Sequence, residues 1–209
     1  MSISQNPMTG EMRQSMANFV TTVCHGQNII RAKVFKPRNV NSAAQQLQRA
    51  SFKLIVDAYD SFGGITDAGF PGRPKIYSPY NAFMKANLDS AINKTGGIPV
   101  IDYSKMIVAE GSLPQVEIAS ATVGATGITI SYATDTTIAK VSASDQVIAF
   151  AKTAKGQLGV VRKARGGEAT GTVHIPFKNL SASDIVCCFV FILNVDGTKA
   201  SKSEFVQVV

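Results

Sequence analysis

Two histidines are the residues of this sequence best suited to proton transfer in catalysis. A general base is most often a histidine, and the chain offers His25 and His174. His25 lies at a predicted turn, and His174 lies in an alternating segment beside Val173 and Ile175. In both settings an exposed or hydrogen-bonded structural histidine is the commoner outcome. The sequence therefore predicts no catalytic residue and no enzymatic activity.

Metal and cofactor sites have equally weak signals. Cys24 and His25 are adjacent, but no second Cys/His cluster stands at the spacing of metal ligands. Gly63-Gly64 and Gly96-Gly97 lack the strand-to-helix context and the following Lys-Ser/Thr of a phosphate-binding loop. We expect these glycines to form turns, and we expect no metal and no cofactor.

The cysteines and the N-terminus indicate where the chain is made. Cys187 and Cys188 are neighbours, so on a strand they point to opposite faces and cannot pair with each other. With Cys24 as the third, no closed disulfide framework is possible, which favours a reducing compartment. Residues 1–10 lack the apolar region of a secretory signal, and no apolar run is as long as a membrane span. We expect cytoplasmic synthesis without a signal peptide.

The strongest functional signal is a basic segment that contains no acidic residue. Between Met12 and Val56 the chain has seven Lys or Arg and no Asp or Glu, while the whole chain has a net charge of +7. Such a segment attracts nucleic acid or an acidic protein surface. A solvated basic face without a partner is the remaining interpretation. The residues expected to bind a partner are Arg31, Lys33, Lys36, Arg38, Gln45, Arg49 and Lys53.

A hairpin and a helix are the elements that must position these residues. Residues 1–17 are expected to form an arm. Alternation of apolar and polar residues predicts strands over Asn18–Cys24 and Gln27–Phe35, with His25-Gly26 as the turn. Asn41 or Ser42 can cap a helix that runs to about Tyr59. The helix has Gln45, Arg49 and Lys53 on one face and opposite them an apolar stripe of Ala43, Leu47, Ala50, Leu54 and Ala58, broadened by Ile55 and Phe62.

The middle of the chain has weaker patterns. Ser61–Pro79 is rich in Gly and Pro and is expected to form a loop. A second helix is predicted over Pro79–Ile92, because Ser78 precedes the proline and Gly96-Gly97 follows the helix. The apolar content of Val100–Val108 predicts a strand.

The last 95 residues have the pattern of an all-β domain. Turn signals separate seven short segments: Val116–Thr122, Gly127–Ala133, Gln146–Lys152, Gly159–Lys163, Gly171–Pro176, Ile185–Asn194 and Ser203–Val208. Seven strands at this spacing predict an immunoglobulin-like or fibronectin-like antiparallel β-sandwich. We therefore expect an α+β protein with two domains: residues 1–114, an N-terminal arm, hairpin and helical docking module, and residues 115–209, the sandwich.

Three motifs resemble an uncharacterised domain-of-unknown-function family from Bacteroidota and their phages. They are Gly26–Arg31 (GQNIIR), Gln45–Phe52 (QxxQRxxF), and Ile101–Lys105 followed by Gly111–Pro114 (IDYSK…GSLP). The resemblance brings no activity and no catalytic residues, and it implies a non-enzymatic protein of a bacterium or its virus.

The leading expectation is a structural or interaction protein. We expect a phage virion component, such as a capsid or tail accessory protein, that docks through its basic N-terminal module. Its partners would be other protein subunits of the assembly, including copies of itself in a homo-oligomer. The alternative is a nucleic-acid-binding protein that contacts phosphates through the basic face from Arg31 to Lys53.

Overall fold

Contacts within the chain divide it after Ser42 into a first unit, residues 1–42, and a second unit, residues 43–209. The computed structural model describes residues 2–4, 13–36, 41–74, 77–134 and 142–208. The predicted boundary between residues 114 and 115 falls inside the second unit.

The first unit is a four-stranded antiparallel sheet. Its strands are β1 (Ser2–Ser4), β2 (Gln14–Met16), β3 (Phe19–Cys24) and β4 (Gln27–Ala32), in the order β1-β4-β3-β2. Cys24 pairs with Gln27 across a two-residue loop in which His25 has a φ of 51° and Gly26 a φ of 76°. Two positive φ values in succession give the turn whose twist matches that of the flanking strands. The predicted hairpin is confirmed, although β4 ends three residues before Phe35.

Three helices begin the second unit: α1 (Ala43–Phe62), α2 (Ile65–Gly69) and α3 (Pro79–Asn87). The predicted start of α1 after Ser42 is confirmed. The buried residues of α1 are Ser51, Ile55, Ala58 and Phe62. The predicted apolar stripe is therefore wrong over the first two turns of the helix, where Ala43 and Ala50 are exposed. The C-terminal part of α1 packs in the hydrophobic core, and its contacts there determine which face of the helix is buried.

The other two helices are held by local polar contacts and a close backbone approach. The Ser78 hydroxyl accepts a hydrogen bond from the Asn81 N–H at 3.2 Å, and Pro79 occupies the first turn, as the sequence predicts for α3. The short helix α2 lies within the segment predicted to be a loop. It ends at Gly69, where an added Cβ would overlap the carbonyl oxygen of Val108.

Two short strands follow, β5 (Ile92–Asn93) and β6 (Val100–Ile101), with a 3₁₀ turn at Thr95–Gly97 between them. The strand predicted over Val100–Val108 is wrong beyond Ile101. Asp102 caps a second 3₁₀ turn, Tyr103–Lys105, by accepting a hydrogen bond from the Ser104 N–H. A side chain that bonds the nearby backbone competes with strand pairing, which explains the early end of β6.

Seven antiparallel strands follow: β7 (Glu117–Gly124), β8 (Gly127–Ala133), β9 (Gln146–Thr153), β10 (Leu158–Ala164), β11 (Thr170–Pro176), β12 (Ile185–Leu193) and β13 (Glu204–Phe205). Six of the predicted segments are confirmed with small shifts at their ends. The segment predicted over Ser203–Val208 is a strand at Glu204–Phe205 alone. A three-stranded sheet has the order β11-β8-β7, and a four-stranded sheet has the order β10-β9-β12-β13. A 3₁₀ turn, Ala182–Asp184, precedes β12. The α+β class is therefore confirmed.

The second unit has three layers, because β9 and β12 are covered on both faces. On one face, Phe62 of α1 packs against Phe150 of β9 with ring centroids 5.4 Å apart, and Phe150 stacks on Phe189 of β12 at 5.5 Å. On the other face, smaller residues such as Ala149 and Val190 join a core with the three-stranded sheet. Each fully buried aromatic ring contributes roughly 1.5–3 kcal/mol. The helices and both sheets therefore belong to one compact unit.

Candidate partner-binding surfaces

The first unit presents exposed basic side chains on and just after β4. Arg31 lies in β4 opposite Val20, and Lys33 and Lys36 follow the strand; all three are exposed. We call Arg31, Lys33 and Lys36 the basic strip. The Lys33 ammonium lies 5.6 Å from the ring centroid of Phe35, within the range of a cation–π contact. Arg38, which was predicted to extend this surface, lies outside the described residues.

Exposed apolar side chains accompany the basic strip. The exposed fractions of Phe19, Val34 and Phe35 are 55%, 71% and 67%. Among the described residues, neither hydrophobic core contains a residue of the first unit. A sheet normally buries one face against another element. The first unit therefore combines positive charge with apolar surface that the described chain does not place in a core.

The second unit has its own candidate surface at the N-terminal half of α1. Gln45, Gln48, Arg49, Phe52 and Lys53 line a shallow depression there. Their spacing of three and four residues places them on one side of the helix. The Phe52 ring is 43% exposed between the polar side chains. We call these five residues the helix face; it contains the whole QxxQRxxF motif.

The predicted binding set is thus divided between the two units. The basic strip belongs to the first unit, and Gln45, Arg49 and Lys53 belong to the second. Every described member of the set is exposed, as the amphipathic patterns predicted. The described residues of each surface belong to a single unit.

The IDYSK motif has a local structural role. The Asp102 carboxylate accepts hydrogen bonds from the Ser104 hydroxyl and backbone N–H, and it forms an ion pair with Lys105 at 3.0 Å. The Ser104 hydrogen bonds, followed by Lys105, hold the pKa of Asp102 below its usual value. The motif therefore fixes the turn after β6.

The histidines have different settings. His25 occupies the tight β3–β4 turn in a left-handed conformation. The Nδ1 atom of His174 lies 3.1 Å from the Thr129 hydroxyl oxygen on the exposed face of the three-stranded sheet. No hydrogen bond joins His174 to a carboxylate within the described ranges. An activated nucleophile needs a base that a third group holds in position. Among the described residues, the exposed Thr129–His174 pair has no such carboxylate group.

The cysteines are free thiols, and two of them are core residues. Cys24 is exposed, whereas Cys187 and Cys188 are buried. As predicted, the neighbours point to opposite faces: Cys187 joins the helix-side core and Cys188 the core between the sheets. Burial raises the pKa of each buried thiol to about 12. Both thiols are therefore protonated at neutral pH.

The described part of the chain has neither a metal-ligand cluster nor a membrane-spanning helix. No group of three or more His, Cys, Asp or Glu side chains there could hold a metal ion. No helix in the same residues is long and apolar enough to cross a membrane.

Residues 11–207 match the model of a family described as "Family of unknown function (DUF6266)". The chain belongs to this family. The match includes the basic strip, the helix face and every strand from β7 to β13. No curated protein and no solved structure matches the chain significantly. Membership in a family of unknown function is confirmed, while the taxonomic range and the defining role of the three motifs stay predictions.

This DUF6266 protein also has a cleft that sequence patterns did not indicate, with a volume of about 860 Å³. Four separate segments contribute to it, so no local motif could have revealed it. Arg73 donates hydrogen bonds to the carbonyls of Phe70 at 2.7 Å and Tyr77 at 3.2 Å, which secures the loop at one side. The lining also includes Lys85, Lys199 and one acid, Glu110.

Proposed function

We propose that this DUF6266 protein is a non-enzymatic structural subunit of a larger assembly and that its first unit is the docking module. The assembly would be a phage virion, with the chain made in the cytoplasm and incorporated as a capsid or tail accessory protein. One observation carries the proposal. The first unit places exposed cations beside exposed apolar side chains, and its described residues belong to neither hydrophobic core.

The exposed apolar side chains of the first unit would be stabilised by a covering surface. A small sheet gains stability when one face packs on another surface. Val34 and Phe35 supply the apolar part of such a contact, and the basic strip supplies positive charge at its side. Phe19 pairs with Ala32 and therefore lies on the face of the sheet opposite to Arg31. A protein surface with an apolar centre and an acidic border would match both features. Burial of the apolar side chains would contribute affinity, and the charges would contribute association rate and specificity.

The same proposal includes an immunoglobulin-like arrangement of residues 115–209. In that fold the first, second and fifth strands share one sheet, and the third, sixth and seventh share the other. Counting from β7, the orders β11-β8-β7 and β10-β9-β12-β13 have this distribution, with the fourth strand beside the third. The strand order supports the assignment. Such domains commonly serve as interaction modules, an analogy at the level of fold.

The experiment compares how much of each of two charge variants is incorporated into phage particles. Arg31→Glu/Lys33→Glu should remove the protein from purified particles, measured by quantitative mass spectrometry. The matched control is Lys155→Glu/Arg162→Glu, which makes the same charge change at exposed positions of the second unit. The control should be incorporated normally. Normal incorporation of the first variant, or absence of the native chain from particles, would contradict the proposal.

Nucleic acid is the second candidate partner, favoured by the absence of any acid between Met12 and Val56. Phosphate contacts by the three residues of the basic strip would give a log–log salt slope of about −3 on duplex DNA. Fluorescence anisotropy between about 50 and 200 mM salt measures this slope. Binding that weakens with salt and is lost in Arg31→Glu/Lys33→Glu would favour nucleic acid over a protein partner.

A further inference from the structure

Strand β7 is an edge strand with an open side. Within the described residues it pairs with β8 on one side and has no strand partner on the other. It is eight residues long, which is about 26 Å of extended chain. The backbone N–H and C=O groups on that side, which no described strand pairs, can bind another strand.

The composition of β7 differs from that of the two edges of the four-stranded sheet. Natural edge strands are commonly protected by charged side chains, by proline or by being very short. The edge strand β10 carries the exposed charges of Arg162 and Lys163, and β13 has two residues. In contrast, β7 (EIASATVG) has no Lys, Arg or Pro, and Glu117 at its start is its single charged residue. The pairing of β7 with β8 shifts register between Ile118 and Ser120, close to the Glu117 end. From Ser120 to Gly124 the pairing is regular.

We propose that β7 pairs antiparallel with β7 of a second copy of this chain. The two three-stranded sheets would then form one continuous six-stranded sheet across a two-fold axis near Ala121. This self-association surface lies outside the proposed docking module and goes beyond the proposed function, which it would serve by building a dimeric subunit.

The distribution of charge along β7 favours a second copy of this chain as the source of the partner strand. In the antiparallel arrangement each Glu117 lies opposite the Gly124 end of the partner strand, so the two carboxylates are about 25 Å apart. That separation exceeds the screening length of about 8 Å at physiological salt, so the charges do not repel appreciably. A strongly acidic or basic partner would find no opposite charge along the remaining seven residues.

The exposed face of the sheet also suits pairing. Ser120 pairs with Ser131 and Thr122 with Thr129, and β11 adds Thr170 and Thr172 beyond them. Apart from half-buried Ser131, these hydroxyl side chains are exposed. Across the two-fold axis the Ser120 and Thr122 side chains of the two copies become cross-strand neighbours, an arrangement in which hydroxyls stabilise a sheet. The hydroxyl face would therefore continue from one copy to the other without a charged break.

The first test measures mass in solution by sedimentation equilibrium, under reducing conditions because Cys24 is exposed. The native chain should dimerise. Thr122→Lys adds a charge at the edge, once in each copy, and should raise the dimer dissociation constant at least about tenfold. The matched control is Thr170→Lys, an exposed position of the same sheet on β11. It should leave the dimer unchanged.

A second measurement locates the contact. Hydrogen–deuterium exchange of peptides covering 117–124 should slow as protein concentration rises through the dimerisation range, whereas β11 should not change. A monomer at all concentrations, a dimer that persists in Thr122→Lys, or equal loss in both variants would overturn the proposal. These outcomes are independent of incorporation into particles, so failure here is distinguishable from failure of the proposed function.

Discussion

Asn87 is the side chain whose removal should destabilise the second unit most clearly. It is fully buried, and its amide nitrogen donates to the Phe83 carbonyl at 2.9 Å and the Ile107 carbonyl at 2.7 Å. Its amide oxygen accepts from the Ile107 N–H at 2.7 Å. Asn87→Ala leaves both backbone groups of Ile107 without this partner, and each such loss costs roughly 1–3 kcal/mol. With partial relaxation, we expect the free energy of unfolding to fall by about 3 kcal/mol.

Urea unfolding followed by far-ultraviolet circular dichroism measures this loss, and the chain contains no Trp whose fluorescence would serve instead. Asn81→Ala is the matched control, because Asn81 is exposed on the same helix. It should change the free energy of unfolding by less than about 0.5 kcal/mol. A loss below about 1 kcal/mol for Asn87→Ala, at an unchanged slope with denaturant, would refute the assignment of Asn87 as the link between α3 and the segment at Ile107.

The remaining predictions concern the thiols and one glycine. In the native protein at pH 8 a thiol reagent should modify Cys24 alone, with Cys187 and Cys188 reacting after unfolding; rapid modification of all three would contradict their burial. Burial raises the pKa of both buried thiols from 9.0 to about 12. Their contribution to stability is therefore complete below pH 9 and is lost as the pH rises toward 12. The melting temperature, measured across that pH range, should decline accordingly. Gly69→Ala should lower the free energy of unfolding by about 1–3 kcal/mol, because the new methyl group meets a backbone carbonyl. Gly64→Ala, which meets nothing within 4 Å, should not produce that loss in the same denaturation assay.

The strands were predictable because their signals are local. Turn residues such as Gly156 and Asp196-Gly197 separate segments of alternating or apolar residues, and these signals do not depend on distant packing. The β3–β4 hairpin was predictable for the same reason, since His25-Gly26 suits a turn with two positive φ values.

The layered packing was not predicted, although a signal for it exists. Residues 147–151 and 187–193 are continuously apolar, a pattern typical of strands buried on both faces. Such strands require a second covering layer, which α1, α2 and α3 provide. Because the layer comes from a distant part of the sequence, a boundary drawn from composition alone separates residues that pack together.

The exposure of the predicted binding residues could be predicted from the sequence, but their division between two units could not. Basic side chains on amphipathic segments remain in solvent, and Arg31, Lys33 and Arg49 follow that rule. Whether neighbouring segments belong to one unit depends on their contacts, which spacing does not encode. The division after Ser42 therefore could not be obtained from the charge pattern.

The different sizes of residues on the two faces of β9 and β12 determine how these strands must align. Polarity cannot fix their register, because both faces are apolar, and a slip of one residue exchanges the faces completely. Here such a slip would move Phe150 and Phe189 into the narrow gap between the sheets and leave Ala149 and Cys188 beneath the helices. The first change would overpack one core and the second would leave voids in the other. Side-chain volume, acting on both sides at once, therefore specifies the alignment of the central strands.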